Sequence, residues 1–162
     1  MYHIGDNVLY GSNGVMTVVD IREELVGIES RKYYVMRAYG SRAESLIYVP
    51  CDNERLVAAM RPLLTRDEAR DFIEGRVELP EIEWINENRA RGERFKAIVE
   101  SGDRAAMLAM IRVVHLSGLA REREGKKNYL TDEGLKQKAE KILATELSLV
   151  LGVVESELPS FV

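Results

Sequence analysis

The chain has 162 residues, 46% of them apolar and 31% charged, the make-up of a globular protein of one or two small domains. Its formal net charge is -4 and its sequence pI is about 5.4; coating duplex DNA by charge alone is excluded, because that requires neutralising many phosphates. Cys51 is the single cysteine, so there is no internal disulfide and no Cys-based metal site.

The opening Met1-Tyr-His-Ile-Gly-Asp6 has neither the basic region nor the apolar core of a signal peptide. No apolar run approaches the roughly 20 residues that span a bilayer. A cytoplasmic protein without a membrane partner is expected.

From Met1 to about Arg61 the texture is that of strands. Val8-Leu9-Tyr10 leads into Gly11-Ser-Asn-Gly14, a cluster that supplies positive φ and a tight turn. Val15, Thr17 and Val19 then alternate with Met16, Val18 and Asp20, the period of two of a half-buried strand. Lys32–Arg37 and Ser45–Pro50 are two more runs rich in aromatic and β-branched residues, the second ended by a proline that cannot donate to a ladder. Short strands and turns in so short a segment predict a small open β-barrel. Such barrels offer an unpaired edge to a partner; on the residues alone a plain structural β-domain stays open beside a binding module.

The texture changes at Leu64-Thr65. Thr65-Arg-Asp-Glu68 is a capping box, in which a hydroxyl and a carboxylate each satisfy a free backbone N–H. It predicts a helix ending near Gly75. A second helix is predicted from about Pro80, with Trp84 in its first turn and Ile82 and Ile85 on one face. Gly92 predicts a bend, and Phe95, Ile98 and Val99 rebuild the apolar stripe. Trp84 is the only tryptophan, and Arg89, Arg91, Arg94 and Lys96 follow it. A large flat aromatic beside cations is what touches a nucleic acid where its bases unstack. A lone tryptophan on a helix is also commonly core, and on the residues alone that alternative stays open.

Ser101 is expected to cap the next helix, Ala105 to Leu119, which is apolar nearly all round and belongs at the centre of a bundle. His115 within it is read as packed or surface, because no second ligand has metal spacing. Arg121–Lys127 reads as a solvated helix end. Thr131 is expected to cap the last long helix, whose apolar face runs through Leu135, Ala139, Ile142, Leu143 and Val150 to a stop at Gly152. Gly11–Gly14 lacks the Lys-Ser/Thr of a phosphate loop, and His3 and His115 support no Ser-His-Asp set. No enzyme is expected.

Several of these pieces together resemble one family. Ile4-Gly5-Asp6-Asn-Val8-Leu-Tyr10 with Gly14, Tyr48-Val49-Pro50-Cys-Asp-Asn53 and Met60-Arg61-Pro62-Leu-Leu-Thr65 occur in its order. Trp84, Ser101-Gly102-Asp103 and Ala139-Glu-Lys-Ile-Leu143 with Glu146-Leu147 follow. The chain is thereby similar to the CarD/CdnL family of bacterial transcription regulators, whose N-terminal domain is shared with transcription-repair coupling factor. The resemblance implies an α+β chain: a Tudor/SH3-like small β-barrel over residues 1–62 and an all-α helical bundle over 63–162. It further implies that the first domain docks on the RNA polymerase β subunit, with the barrel edge formed by Ile47, Tyr48 and Val49, and Arg22, as the candidate contact, and that the second contacts promoter DNA. A tryptophan at the position of Trp84 would wedge into the minor groove at the upstream edge of the melted bubble. No cofactor, small-molecule substrate or catalysis is implied. Two positions depart from the pattern: Tyr10-Gly-Ser-Asn-Gly14 replaces Tyr-Pro-x-His-Gly, and Tyr48 stands where some relatives carry an arginine used against polymerase. The alternative is an adaptor of the transcription machinery whose helices never touch DNA.

Overall fold

A computed structural model describes all 162 residues, Met1–Val162, as two compact units, Met1–Leu63 and Leu64–Val162.

In the first unit, β1 (Asn7–Tyr10), β2 (Val15–Val26), β3 (Glu29–Ala38), β4 (Ile47–Pro50) and β5 (Met60–Pro62) form one antiparallel sheet in the order β4-β3-β2-β1-β5. The predicted turn is a 3-10 turn over Gly11–Asn13, and Gly14 follows at φ 73°, a conformation that glycine takes without a Cβ penalty. The period of two in β2 is real but interrupted. The β2–β3 register shifts between Val18 and Asp20, so Met16 and Val18 face the core while the next residue packed there is Ile21. One extra residue at a bulge has moved the inward face by one position.

Val8, Met16, Val18, Tyr34, Met36, Val49 and Met60 make this core. The sheet's edges, β4 and β5, do not pair with each other. Between them in sequence lies α1 (Glu54–Ala58), whose Leu56 and Val57 pack on the core. Asn53 caps it, its side chain accepting from Leu56 N–H at 3.1 Å. Five residues are too few to carry a helical period, and the sequence gives no other sign of α1.

In the second unit the Thr65 capping box opens α2 (Arg66–Ile73) as expected. The helices α3 (Asn88–Ser101), α4 (Arg104–Arg123) and α5 (Leu130–Leu151) follow. α5 packs against α2, α3 and α4, and α4 buries Ala106–Ile111, Val114 and Gly118. Leu116 and Leu119 of α4 nevertheless face solvent. Gly152 ends α5 in the left-handed region.

Three boundaries differ from expectation. No helix starts at Pro80; residues 77–87 are extended or bent, and α3 begins at Asn88 under a Glu87 cap whose carboxylate accepts from Arg89 and Ala90 N–H. Glu81 and Glu83 are exposed while Ile82 and Trp84 are half-buried. That is a period of two, and it prevails over the three-residue spacing of Ile82 and Ile85. Asp103, not Ser101, caps α4 by accepting from Ala106 N–H at 3.0 Å; Ser101 is the last residue of α3. The cap position of α5 is Tyr129, with no side-chain bond, and Thr131 lies inside the first turn. No helix is long and apolar enough to cross a membrane.

Candidate nucleic-acid interface

Trp84 lies on the extended segment that leads into α3, and its ring is half-buried. Three groups surround it. The Phe95 ring of α3 is 6.2 Å away and tilted by 60°, and the Tyr129 ring is 6.5 Å away and tilted by 36°. The Arg91 guanidinium carbon sits 4.4 Å from the indole centroid and 4.5 Å from that of Tyr129. The guanidinium thus sits at a corner, within cation–π reach of two rings whose centroids are 6.5 Å apart, and the ring quadrupoles favour a cation there. Arg121 supplies a second cation, 4.0 Å over Tyr129, and its Nε donates to the Lys127 carbonyl at 2.7 Å.

Arg91 cannot be a phosphate contact, which corrects the sequence expectation. It is 1% exposed. Its Nε donates to Asp132 at 2.9 Å, Nη1 to the carbonyls of Ile85 at 2.9 Å and Asn86 at 3.3 Å, and Nη2 to Asn88 Oδ1 at 2.9 Å. Asp132 is itself buried, in the first turn of α5, where the helix dipole also favours a carboxylate. A buried guanidinium requires such partners, and Arg91 has them.

The other cations remain at the surface but not on one face. Arg89 pairs with Glu93 at 3.3 Å and Lys96 approaches Glu100 at 4.0 Å, all exposed. Arg89 and Lys96 are seven residues apart, two turns of helix, and both line a groove of about 440 Å³ with Gly92, Thr131 and Leu135. Arg94 is rotated from Arg89 by about 140° and lines a separate hollow of about 270 Å³ with Pro80, Glu81, Ile82 and Ser101. Sequence proximity had suggested one cluster; the helix divides it.

What sequence reasoning missed is the partnership of Arg91, Tyr129, Asp132 and Arg121 with Trp84. Only the mixed spacing Arg91-x-x-x-Phe95 hinted that Arg91 shares the core-facing side of α3.

In the first unit, Arg22 and Tyr48 do come together. Arg22 Nη1 donates to the Tyr48 hydroxyl at 2.9 Å, its Nε donates to Asp20 at 3.2 Å, and Tyr33 meets Tyr48 edge to face at 6.2 Å. Both are exposed and Ile47 is half-buried beside them. Val49 is corrected: it is fully buried in the core, so its side chain cannot meet a partner.

Residues 2–64 match the family described as CarD-like/TRCF RID domain. The N-terminal unit belongs to that family. The CarD-like match makes this a domain of transcription-related, RNA polymerase-interacting proteins, an interaction domain rather than a catalytic one. It ends where the CarD-like sheet gives way to helices, so it carries nothing about the Trp84 site. A comparison with curated proteins gave no match.

Proposed function

We propose that this chain is a CarD-type transcription regulator that docks on the RNA polymerase β subunit and steadies the open promoter complex. In this reading residues 1–62 hold polymerase through the outer surface around Arg22, Ile47 and Tyr48. Residues 63–162 apply Trp84 to the minor groove at the upstream edge of the bubble. Arg89, Arg94 and Lys96 hold backbone phosphates without reading sequence.

The observation that carries the reading is the seating of Trp84, which is neither engulfed in the core nor loose in water. A side chain ordered before it meets its target loses little further entropy on binding. Promoter melting is an equilibrium, and a protein that prefers the melted form shifts it by its differential affinity. An indole placed at an unstacked step replaces stacking whose loss costs a few kcal/mol. A preference of about 1.4 kcal/mol changes the open-to-closed ratio tenfold. The acidic net charge is no obstacle, since docking on polymerase raises the effective concentration at the promoter.

The test is the dissociation rate of open complexes formed with Trp84→Ala. Polymerase binding is expected to persist while the complexes decay faster. An unchanged lifetime removes the wedge and leaves the adaptor, which the partial burial of Trp84 also suits.

A further inference from the structure

The indole of Trp84 belongs to a segment with no helix or strand of its own, so something else must fix its direction. Residues 77–87 contribute no regular backbone ladder, and a side chain on such a segment samples several rotamers unless its neighbours choose one. Arg91, itself buried, lies 4.4 Å from the indole centroid.

We infer that Arg91 is the positioning residue for Trp84, the seat that fixes the direction in which the indole is presented. The inference rests on the functional reading above for its consequence, but not for its geometry. Arg91 bonds the carbonyls of Ile85 and Asn86, the two residues that follow Trp84, and so pins the backbone beside it. The same guanidinium lies 4.4 Å from the indole centroid and 4.5 Å from that of Tyr129. Asp132 fixes the plane of the guanidinium by accepting from Nε. One side chain therefore sets both the chain path and the ring plane, and joins them to the start of α5. Lysine would keep the charge but lose the fork and the flat stacking surface.

The experiment uses the full chain and its single tryptophan as the probe. With folding checked by far-UV circular dichroism, Arg91→Lys is expected to raise iodide quenching of Trp84 and lower its emission anisotropy. It is also expected to shorten open-complex lifetime by most of the factor that Trp84→Ala costs. In a Trp84→Ala background the same change is expected to have no further effect on lifetime, because a residue acting through Trp84 is not additive with its loss. A full additional loss in that background overturns the inference, as do unchanged quenching and anisotropy in Arg91→Lys. If Arg91→Lys does not fold, Tyr129→Leu takes its place by removing the second ring that holds the guanidinium, and unchanged quenching there overturns the inference equally. Should Trp84→Ala leave lifetime unaltered, the functional reading fails; the fluorescence of Arg91→Lys still decides whether Arg91 seats the indole.

Discussion

Replacing Asp132 by alanine should be among the most damaging single changes in the helical unit. Arg91 is 1% exposed and the Asp132 side chain 4% exposed, at 2.9 Å. Without the carboxylate the guanidinium stays buried among the neutral acceptors Ile85 O, Asn86 O and Asn88 Oδ1. Breaking a buried pair from one side costs roughly 3–5 kcal/mol, a large part of the ~5–15 kcal/mol that holds a domain together. At about 4 °C or more per kcal/mol for a unit of this size, the melting temperature should fall by at least about 12 °C. The assay is thermal unfolding followed by circular dichroism at 222 nm, a wavelength that reports helix (roughly, by its amide band), with Trp84 emission recorded alongside. Glu93→Ala is the control on the same helix. It removes the partner of Arg89 in a pair whose side chains are 70% and 87% exposed, worth at most about 0.5 kcal/mol. If Asp132→Ala melts no lower than Glu93→Ala, the buried-pair argument is wrong.

Two further outcomes follow from buried groups elsewhere. Glu146 is 0% exposed and accepts from Arg104 Nε at 3.0 Å, Arg104 Nη2 at 2.6 Å and Leu64 N–H at 2.9 Å; Glu146→Ala should destabilise the helical unit by roughly 3–5 kcal/mol in urea titration. Burial pushes the Cys51 thiol up, so near pH 8 the folded chain should be carboxymethylated by iodoacetate more slowly than the chain unfolded in urea. Because the folded form favours the neutral thiol, this contribution to stability is present below the unfolded thiol pKa and is lost as pH rises through the folded one.

Much of the fold was readable because local signals agreed with tertiary ones. The Thr65–Glu68 capping box, the Gly152 stop and the aromatic strands each have a short-range cause that packing does not oppose. The segment around Trp84 was misread for the opposite reason. Pro80, the first-turn glutamates and the Ile82–Ile85 spacing all suit a helix, yet burial of Ile82 and Trp84 on the helical unit selects an extended path. β1–β5 pairing joins Leu9 to Arg61 across about fifty residues, and three residues of β5 carry no period to announce it. At the candidate site, the tryptophan was legible from its rarity. The fate of Arg91 was not, because whether an arginine meets solvent or a buried carboxylate forty-one positions away is decided by tertiary packing. Val49 likewise sits on an edge strand, yet it pairs with Tyr34 and its side chain lies in the core.

The most direct measurement places a 2-aminopurine at the upstream edge of the bubble in complexes of polymerase, promoter and this protein at matched occupancy. An indole stacked there quenches the base, so emission should be lower with the native chain than with Trp84→Ala. Equal emission from the two would mean that Trp84 never reaches the unstacked step.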